Sequence, residues 1–285
     1  MLHKHVFSKI LLFVLGLLLF ACPAPPKEPL EKLIIGVVSY EGASDIVDRY
    51  YHFQDYLAVE TKTVIELEPS FNERKAIDRI ERRVWSIVFA PPGLAAIAID
   101  RQGYIPIFAL AGRNLDRSWI VVREDSNLEK LEDLSEKTLA LGQRGSATGY
   151  YLPLYDLHGL TLSSVRFAPT PKTVLNWVEE QNVDAGAISR EQFNKYRGEF
   201  LTRFRVLHQT RLVPSGVVLI NPDLAPKLQN KIKEAMKQAP TYLTKDAGYL
   251  PHAPVPNYQN FIILVNKVRP IQPKLDKQPA VLLKD

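Results

Sequence analysis

Short apolar runs alternate with amphipathic stretches along most of this chain. Residues 33–38 form a buried-strand pattern, after which Ile46, Val47, Tyr50, Phe53 and Leu57 recur at helical spacing. A second strand is predicted over 63–67 and a charged helix over 72–83. A third strand over 85–89 ends at Pro91-Pro92-Gly93, before a helix of small residues over 94–99, and a fourth strand covers 105–110. This order predicts a mostly parallel sheet with helices on its faces.

The pattern restarts after a strand at 118–123. Strand 138–141 leads through a glycine-flanked turn into a helix over 150–157, followed by strand 165–167, helix 173–180, strand 183–188, helix 191–196 and strand 205–207. An apolar strand returns at 217–220, and Leu224, Leu228, Ile232, Ala235 and Ala239 mark one face of a long helix starting near Pro222. Past Val268, Pro270, Pro273 and Pro279 read as a tail without a core of its own. Two α/β units with no Pro/Gly-rich linker between them imply lobes joined by strands that cross, near 113–119, and return, near 212–217. A ligand cleft would then lie beyond the strand ends.

The N-terminus adds a targeting signal. Lys4 and Lys9 precede an apolar run over 10–21, long enough for an export-signal core but short for a membrane span. The run ends in Leu19-Phe20-Ala21-Cys22, and Cys22 is the only cysteine, so no intramolecular disulfide is possible. A lone cysteine there resembles a bacterial lipobox, the site of lipid attachment; an uncleaved anchor with an incidental cysteine is the other reading. Pro23-Ala24-Pro25-Pro26 opens a semi-rigid spacer. The expected organisation is a lipoprotein signal over 1–21, the spacer over 22–31, a first lobe over 32–117, a second over 118–211, a return to the first over 212–268 and a tail over 269–285.

Charge excludes one partner class. The net charge of +5 on 285 residues is modest, and basic residues are interleaved with acids, as in Arg74, Lys75, Asp78, Arg79 and Glu81. Such faces are solvated helix surfaces rather than a nucleic-acid footprint, so no nucleic acid is expected as partner.

The turn at Gly145-Ser146-Ala147-Thr148-Gly149-Tyr150 carries the candidate chemistry. First-turn amides lack intrahelical acceptors and sit at the positive end of the helix dipole, so an oxyanion can be held there with Ser146 and Thr148 as added donors. Ser146 could equally be a plain helix cap. Catalysis finds little support. His52, His158, His208 and His252 have no ligand spacing, Ser146 lies outside any Gly-x-Ser-x-Gly elbow, and Gly142, Gly145 and Gly149 fit neither a dinucleotide fingerprint nor a P-loop. His158 reads as a helix-end residue, and Arg144 either adds charge to the ligand or faces solvent. No cofactor and no metal are expected.

From about 33 to about 258 the chain resembles the phosphate/phosphite/phosphonate-type solute-binding proteins of ABC importers, two-lobed type 2 periplasmic binding proteins. The markers are Ile34-Ile35-Gly36-Val37-Val38, Val64-Ile65-Glu66-Leu67, Phe89-Ala90-Pro91-Pro92, Ser118-Trp119-Ile120-Val121-Val122-Arg123, Leu131-Glu132-Asp133-Leu134, Ser146 to Tyr150 with Pro153, and Val183-Asp184-Ala185-Gly186-Ala187. The resemblance implies an α/β, type 2 two-lobed fold and a non-enzymatic protein that captures a small oxyanion, of phosphonate, phosphite or phosphate class, for an importer permease outside the cytoplasm. It assigns the oxyanion grip to Ser146, Thr148, Gly149 and Tyr150, and brings Tyr40 and Ser189 to the cleft as strand-end residues. Ala147 stands where the family often has a hydroxyl, and Leu94 where it usually supplies a tyrosine. The alternative is a ligand sensor reporting to a separate membrane kinase; an enzyme on the same fold is a further one.

Overall fold

The computed structural model describes residues 31–38, 43–111 and 116–283. The signal, Cys22, the spacer and Tyr40 lie outside these residues. The first half opens with β1 (Lys32–Val38), α1 (Ala43–Thr61), β2 (Val64–Ser70), α2 (Glu73–Glu81), β3 (Ile87–Ala90), α3 (Pro92–Gln102) and β4 (Ile105–Leu110). The chain then enters a second unit through β5 (Arg117–Arg123). There follow β6 (Thr138–Leu141), a π-turn (Ala147–Tyr151) continuing into α4 (Leu152–Asp156), β7 (Thr161–Leu162), β8 (Ser164–Phe167), α5 (Pro171–Glu179), β9 (Ala185–Ser189), α6 (Arg190–Tyr196) and β10 (Phe204–Leu212). It returns through β11 (Val217–Ile220), α7 (Pro226–Gln238), α8 (Thr241–Ala247), β12 (Tyr249–Leu250) and α9 (Gln259–Val268), and closes with a 3-10 segment (Arg269–Lys274) and β13 (Ala280–Val281).

The first lobe is a six-stranded sheet ordered β12-β4-β11-β3-β1-β2, the second a five-stranded sheet ordered β10-β5-β9-β6-β8. β1 runs parallel to β2 and β3, whereas β11 inserts antiparallel between β3 and β4. In the second sheet β5 is antiparallel to both of its neighbours, β9 and β10. In the first sheet β11 and β12 run against the other four strands, and in the second β5 runs against the other four; β5 and β11 are the strands by which the chain passes between lobes.

Alternation along each strand sends apolar side chains to two layers. Ile87, Phe89, Val218 and Ile220 face α1, α7 and α8, packing on Phe53, Leu57, Ile232 and Met236. Val88, Ala90, Val217 and Leu219 face inward, into a central cluster that also holds Ile120, Leu139, Leu141 and Ala187 of the second sheet. α3, α4 and α9 lie in this shared layer. The outer face of the second sheet is closed by α5 and α6 through Val174, Val178 and Phe193.

The C-terminal segment departs from its reading as a tail. Ile271, Leu275, Ala280 and Leu282 are fully buried in the central cluster, and β13 pairs antiparallel with β7. The prolines break helical periodicity without preventing burial, because the segment docks on existing surfaces. Helix α9, with Phe261, Leu264, Val265 and Val268 buried, is an element the sequence reading left unassigned. The helix expected from Pro222 starts at Pro226, after a turn in which the Asn221 side chain accepts from the Asp223 amide.

Deleting most of a buried aliphatic side chain costs about 2–5 kcal/mol. Ile271→Ala is therefore expected to lower unfolding free energy by that amount in urea titration; a change of a few tenths would mean that the segment does not belong to the core.

Candidate functional site

The turn after β6 is closed on itself. The Gly142 amide donates to the Gly149 carbonyl at 2.8 Å, the Ser146 amide to Gln143 O at 3.1 Å, and the Tyr151 amide to Ser146 O at 3.0 Å. Ser146 Oγ accepts from the Gly149 amide at 3.1 Å. Gly145 has φ +104°, in the left-handed region that favours glycine. A Cβ on Gly145 would also lie 2.8 Å from Ile77 Cδ1 on α2.

Two contacts press this turn against the first lobe. A Cβ on Gly93, in the first turn of α3, would fall 1.8 Å from Gly145 O and 2.9 Å from Ala147 N. The Gln143 side chain accepts from the Glu73 amide at 2.9 Å and donates to Pro169 O at 2.7 Å, joining the start of α2 to the loop before α5.

Around the turn lies a pocket lined by the starts of five helical segments: Glu73 of α2, Pro91 and Pro92 of α3, Ser146 of the π-turn, Thr170 and Pro171 of α5, and Ser189 of α6. Each start presents partial positive charge. Among the described residues no lysine or arginine lines this pocket; the charged residues among them that do are Glu73 and Asp116. Ser146, Thr148, Gly149 and Ser189 all reach it. Ser189, nearly buried, caps α6 by accepting from the Gln192 amide at 3.1 Å, and its partner across the β5–β9 ladder is Ser118. Thr148 is half-buried, and among the described residues its hydroxyl has no hydrogen-bond partner.

Other expected residues are placed elsewhere. The Tyr150 ring is buried against Tyr151 and Phe167, burial pushes its phenol well above the ordinary tyrosine range, and Tyr150 is not among the residues that line the pocket. Arg144 turns away: it pairs with Asp276 and lies 4.1 Å over the Phe167 ring. Leu94 is fully buried in the central cluster. His158 lies on another surface, beside α9. Glu73, Gln143, Thr170 and Gln192 went unnoticed in the sequence reading, and Pro92 was read as a strand end and family marker, not as a pocket residue. Asn72, Pro92 and Thr170-Pro171 are legible as helix starts, but their common destination is not.

Among the described residues no helix is long and apolar enough to cross a membrane, and no cluster of His, Cys, Asp and Glu could hold a metal ion. Residues 35–250 match the family described as ABC transporter, phosphonate, periplasmic substrate-binding protein. The chain belongs to that family. The phosphonate-type binding protein shares its fold with solved structures. XAC2383 from Xanthomonas citri, bound to ATP, is similar at 21% identity and TM-score 0.70 over 84% of this chain and 98% of that one. PhnD1 from Prochlorococcus marinus, in complex with methylphosphonate, is 14% identical, with TM-score 0.66 over 84% and 98%. A binding component of an ABC phosphonate transporter from Pseudomonas aeruginosa is 15% identical, with TM-score 0.63 over 86% and 88%. The two-lobed type 2 architecture is thus established. The family works by binding a small ligand outside the cytoplasm for a membrane permease, and its members are not enzymes.

Because Gly93 meets the turn backbone to backbone, Gly93→Ala is expected to force the lobes apart locally and cost about 1–3 kcal/mol, the usual range for overpacking. Thermal unfolding compared with Gly103→Ala, where a Cβ meets nothing within 4 Å, separates this steric effect from strain alone, since Gly103 is itself left-handed.

Proposed function

We propose that this phosphonate-type binding protein captures a small tetrahedral oxyanion, of phosphonate, phosphite or phosphate class, and delivers it to an ABC permease while tethered to the membrane through lipidated Cys22. The observation that carries the reading is the meeting of five helix starts on a pocket to which the described residues bring no cationic side chain, and where Ser146, Thr148 and Ser189 supply hydroxyls. An anion there is held by amide dipoles and neutral donors, an arrangement suited to a charge that must be released again to a transporter. In the proposed complex the oxygens lie on Ser146, Thr148 and the amides of Gly149 and Tyr150, with Ser189 on the facing wall; Ser146 Oγ then exchanges its bond from the Gly149 amide for a bond to the ligand. Tyr40 is assigned to the same cleft by the family resemblance.

The tether is supported by sequence alone: Lys4 and Lys9, the apolar run over 10–21, Cys22 directly after it and the proline-rich spacer. The spacer would hold the folded body clear of the bilayer.

A hydrogen bond to a charged group contributes about 1.5–3 kcal/mol, or about one to two orders of magnitude in affinity. Calorimetry against methylphosphonate, phosphite, phosphate and ATP is expected to show weakening of that size for Thr148→Ala and Ser146→Ala. Arg144→Ala, already committed to Asp276, should cost less. Failure of wild type to bind any of the four, or unchanged affinity in both hydroxyl variants, would reduce the turn to a helix cap. For the tether, Cys22→Ser is expected to abolish incorporation of a labelled fatty acid and release the protein from the membrane fraction; retained label would exclude lipidation at Cys22.

A further inference from the structure

One hydroxyl beside the pocket is left open. Ser118 is fully buried, and among the described residues its Oγ has no hydrogen-bond partner. Buried polar groups are nearly always paired, so an open buried hydroxyl points to a bond made in another state of the protein. Its place says which state. Taking every second residue back along one face of β5, Val122 and Ile120 belong to the central apolar cluster, Ser118 comes next, and Asp116, just before the strand, lines the pocket. Across the ladder Ile120 stands opposite Ala187 and Ser118 opposite Ser189, and both of those partners line the pocket. Ser118 therefore sits where the core gives way to the site.

The groups around it are already spent. The β10–β5 ladder is irregular between Gln209 and Leu212, the stretch opposite Ser118; there the Ser118 amide donates to Thr210 Oγ1 at 3.0 Å, and the Thr210 hydroxyl donates to Arg211 O at 3.0 Å. Irregularities of this kind re-aim side chains next to sites. Ser189 has capacity to spare, because its Oγ accepts from the Gln192 amide at 3.1 Å and keeps a second lone pair and its own hydrogen.

We propose that Ser118 is a positioning residue for the ligand: when an oxyanion enters the pocket, the Ser118 hydroxyl donates to Ser189 Oγ, which fixes the Ser189 hydroxyl as a donor to the ligand. The inference rests on the reading of the cradle given above. Residues directly opposite in an antiparallel pair hold their Cβ atoms about 4.5–5.5 Å apart, a gap that paired serines and threonines bridge by hydrogen bonds. Rotation of the side chains is then enough. With the Gln192 amide and Ser118 both donating to it, Ser189 Oγ has no lone pair left, so its hydrogen must point into the pocket. Bonds arranged head to tail toward a negative charge reinforce one another. The consequence is selectivity for a bare oxygen at this position, since a ligand hydroxyl there would find no acceptor on Ser189. Without ligand the open hydroxyl is a cost that an alanine would not carry.

The test is a double-mutant cycle on the full chain, read by calorimetry with methylphosphonate, phosphite and phosphate, beside thermal unfolding without ligand. Ser118→Ala is expected to weaken binding by about two- to tenfold, the size of one neutral hydrogen bond, and to unfold at the same temperature as wild type or higher. Ser118→Cys, close in volume but a weak donor, should bind as Ser118→Ala does. In a Ser189→Ala background Ser118→Ala should weaken binding no further, because the relay has lost its middle member. Unchanged affinity in Ser118→Ala, weakening that adds in full to that of Ser189→Ala, or weakening accompanied by a lower unfolding temperature would overturn the relay, and the last would make Ser118 a packing residue; in all three the wild-type protein still binds and the cradle stands. Absence of wild-type binding to all three anions would instead fell the cradle reading, and this inference with it.

Discussion

The site depends on an approach of two backbones. The first turn of α3 and the turn after β6 meet at Gly93 and Gly145 without a side chain between them, and the neighbouring α3 residues Ala95, Ala96 and Ala98 are small and buried. That closeness sets the spacing of the lobes. The Gln143 amide then reaches both the start of α2 and the loop before α5, so five helix starts that belong to two separate sheets are held at one pocket. A single bulkier residue at Gly93 would separate them. The central apolar layer, shared by both sheets, secures the same arrangement from behind.

The electrostatics of the pocket differ from those of its surroundings. Arginines and lysines are common in the chain, yet Arg144, two residues before Ser146, is paired with Asp276 and stacked on Phe167. Fixed dipoles replace mobile cations. Dipoles built into a backbone need no reorganisation when charge arrives, and their directions are set by the helices that carry them. Selectivity in such a pocket comes from the placement of donors, whereas a lysine would attract an anion of any shape.

Much of the architecture was legible because helical and strand periodicity is local. The βα alternation, the restart after 118–123 and the returning strand at 217–220 are all present in the structure. Other features are set by long-range packing. Nothing in residues 217–220 says that they enter antiparallel between β3 and β4, because a fully buried strand carries no alternation to mark its neighbours. Ile271 and Leu275 stand four apart, but Pro270 and Pro273 hide the spacing. At the site, Ser146 and Thr148 were readable as helix-start chemistry, and Ser189 as a strand-end residue. Glu73 and Thr170 were not, because only the meeting of two sheets brings their helices to the same place. Tyr150 was read for its amide; what the sequence did not show is that its ring is buried in the core.

The insertion of β11 also orders events in time. β3 and β4 leave the ribosome more than a hundred residues before the strand that must lie between them, and the whole second sheet is made in the interval. Until Val217 to Ile220 appear, the first sheet has two unpaired strand edges facing an empty slot, a condition that invites pairing with other chains. The last step comes later still, when β13 zips onto β7 and Leu282 exchanges backbone bonds with Gly159 and Leu160. Folding is therefore governed by contacts of high sequence separation, and the slot between β3 and β4 leaves the chain open to mispairing until its last third is in place.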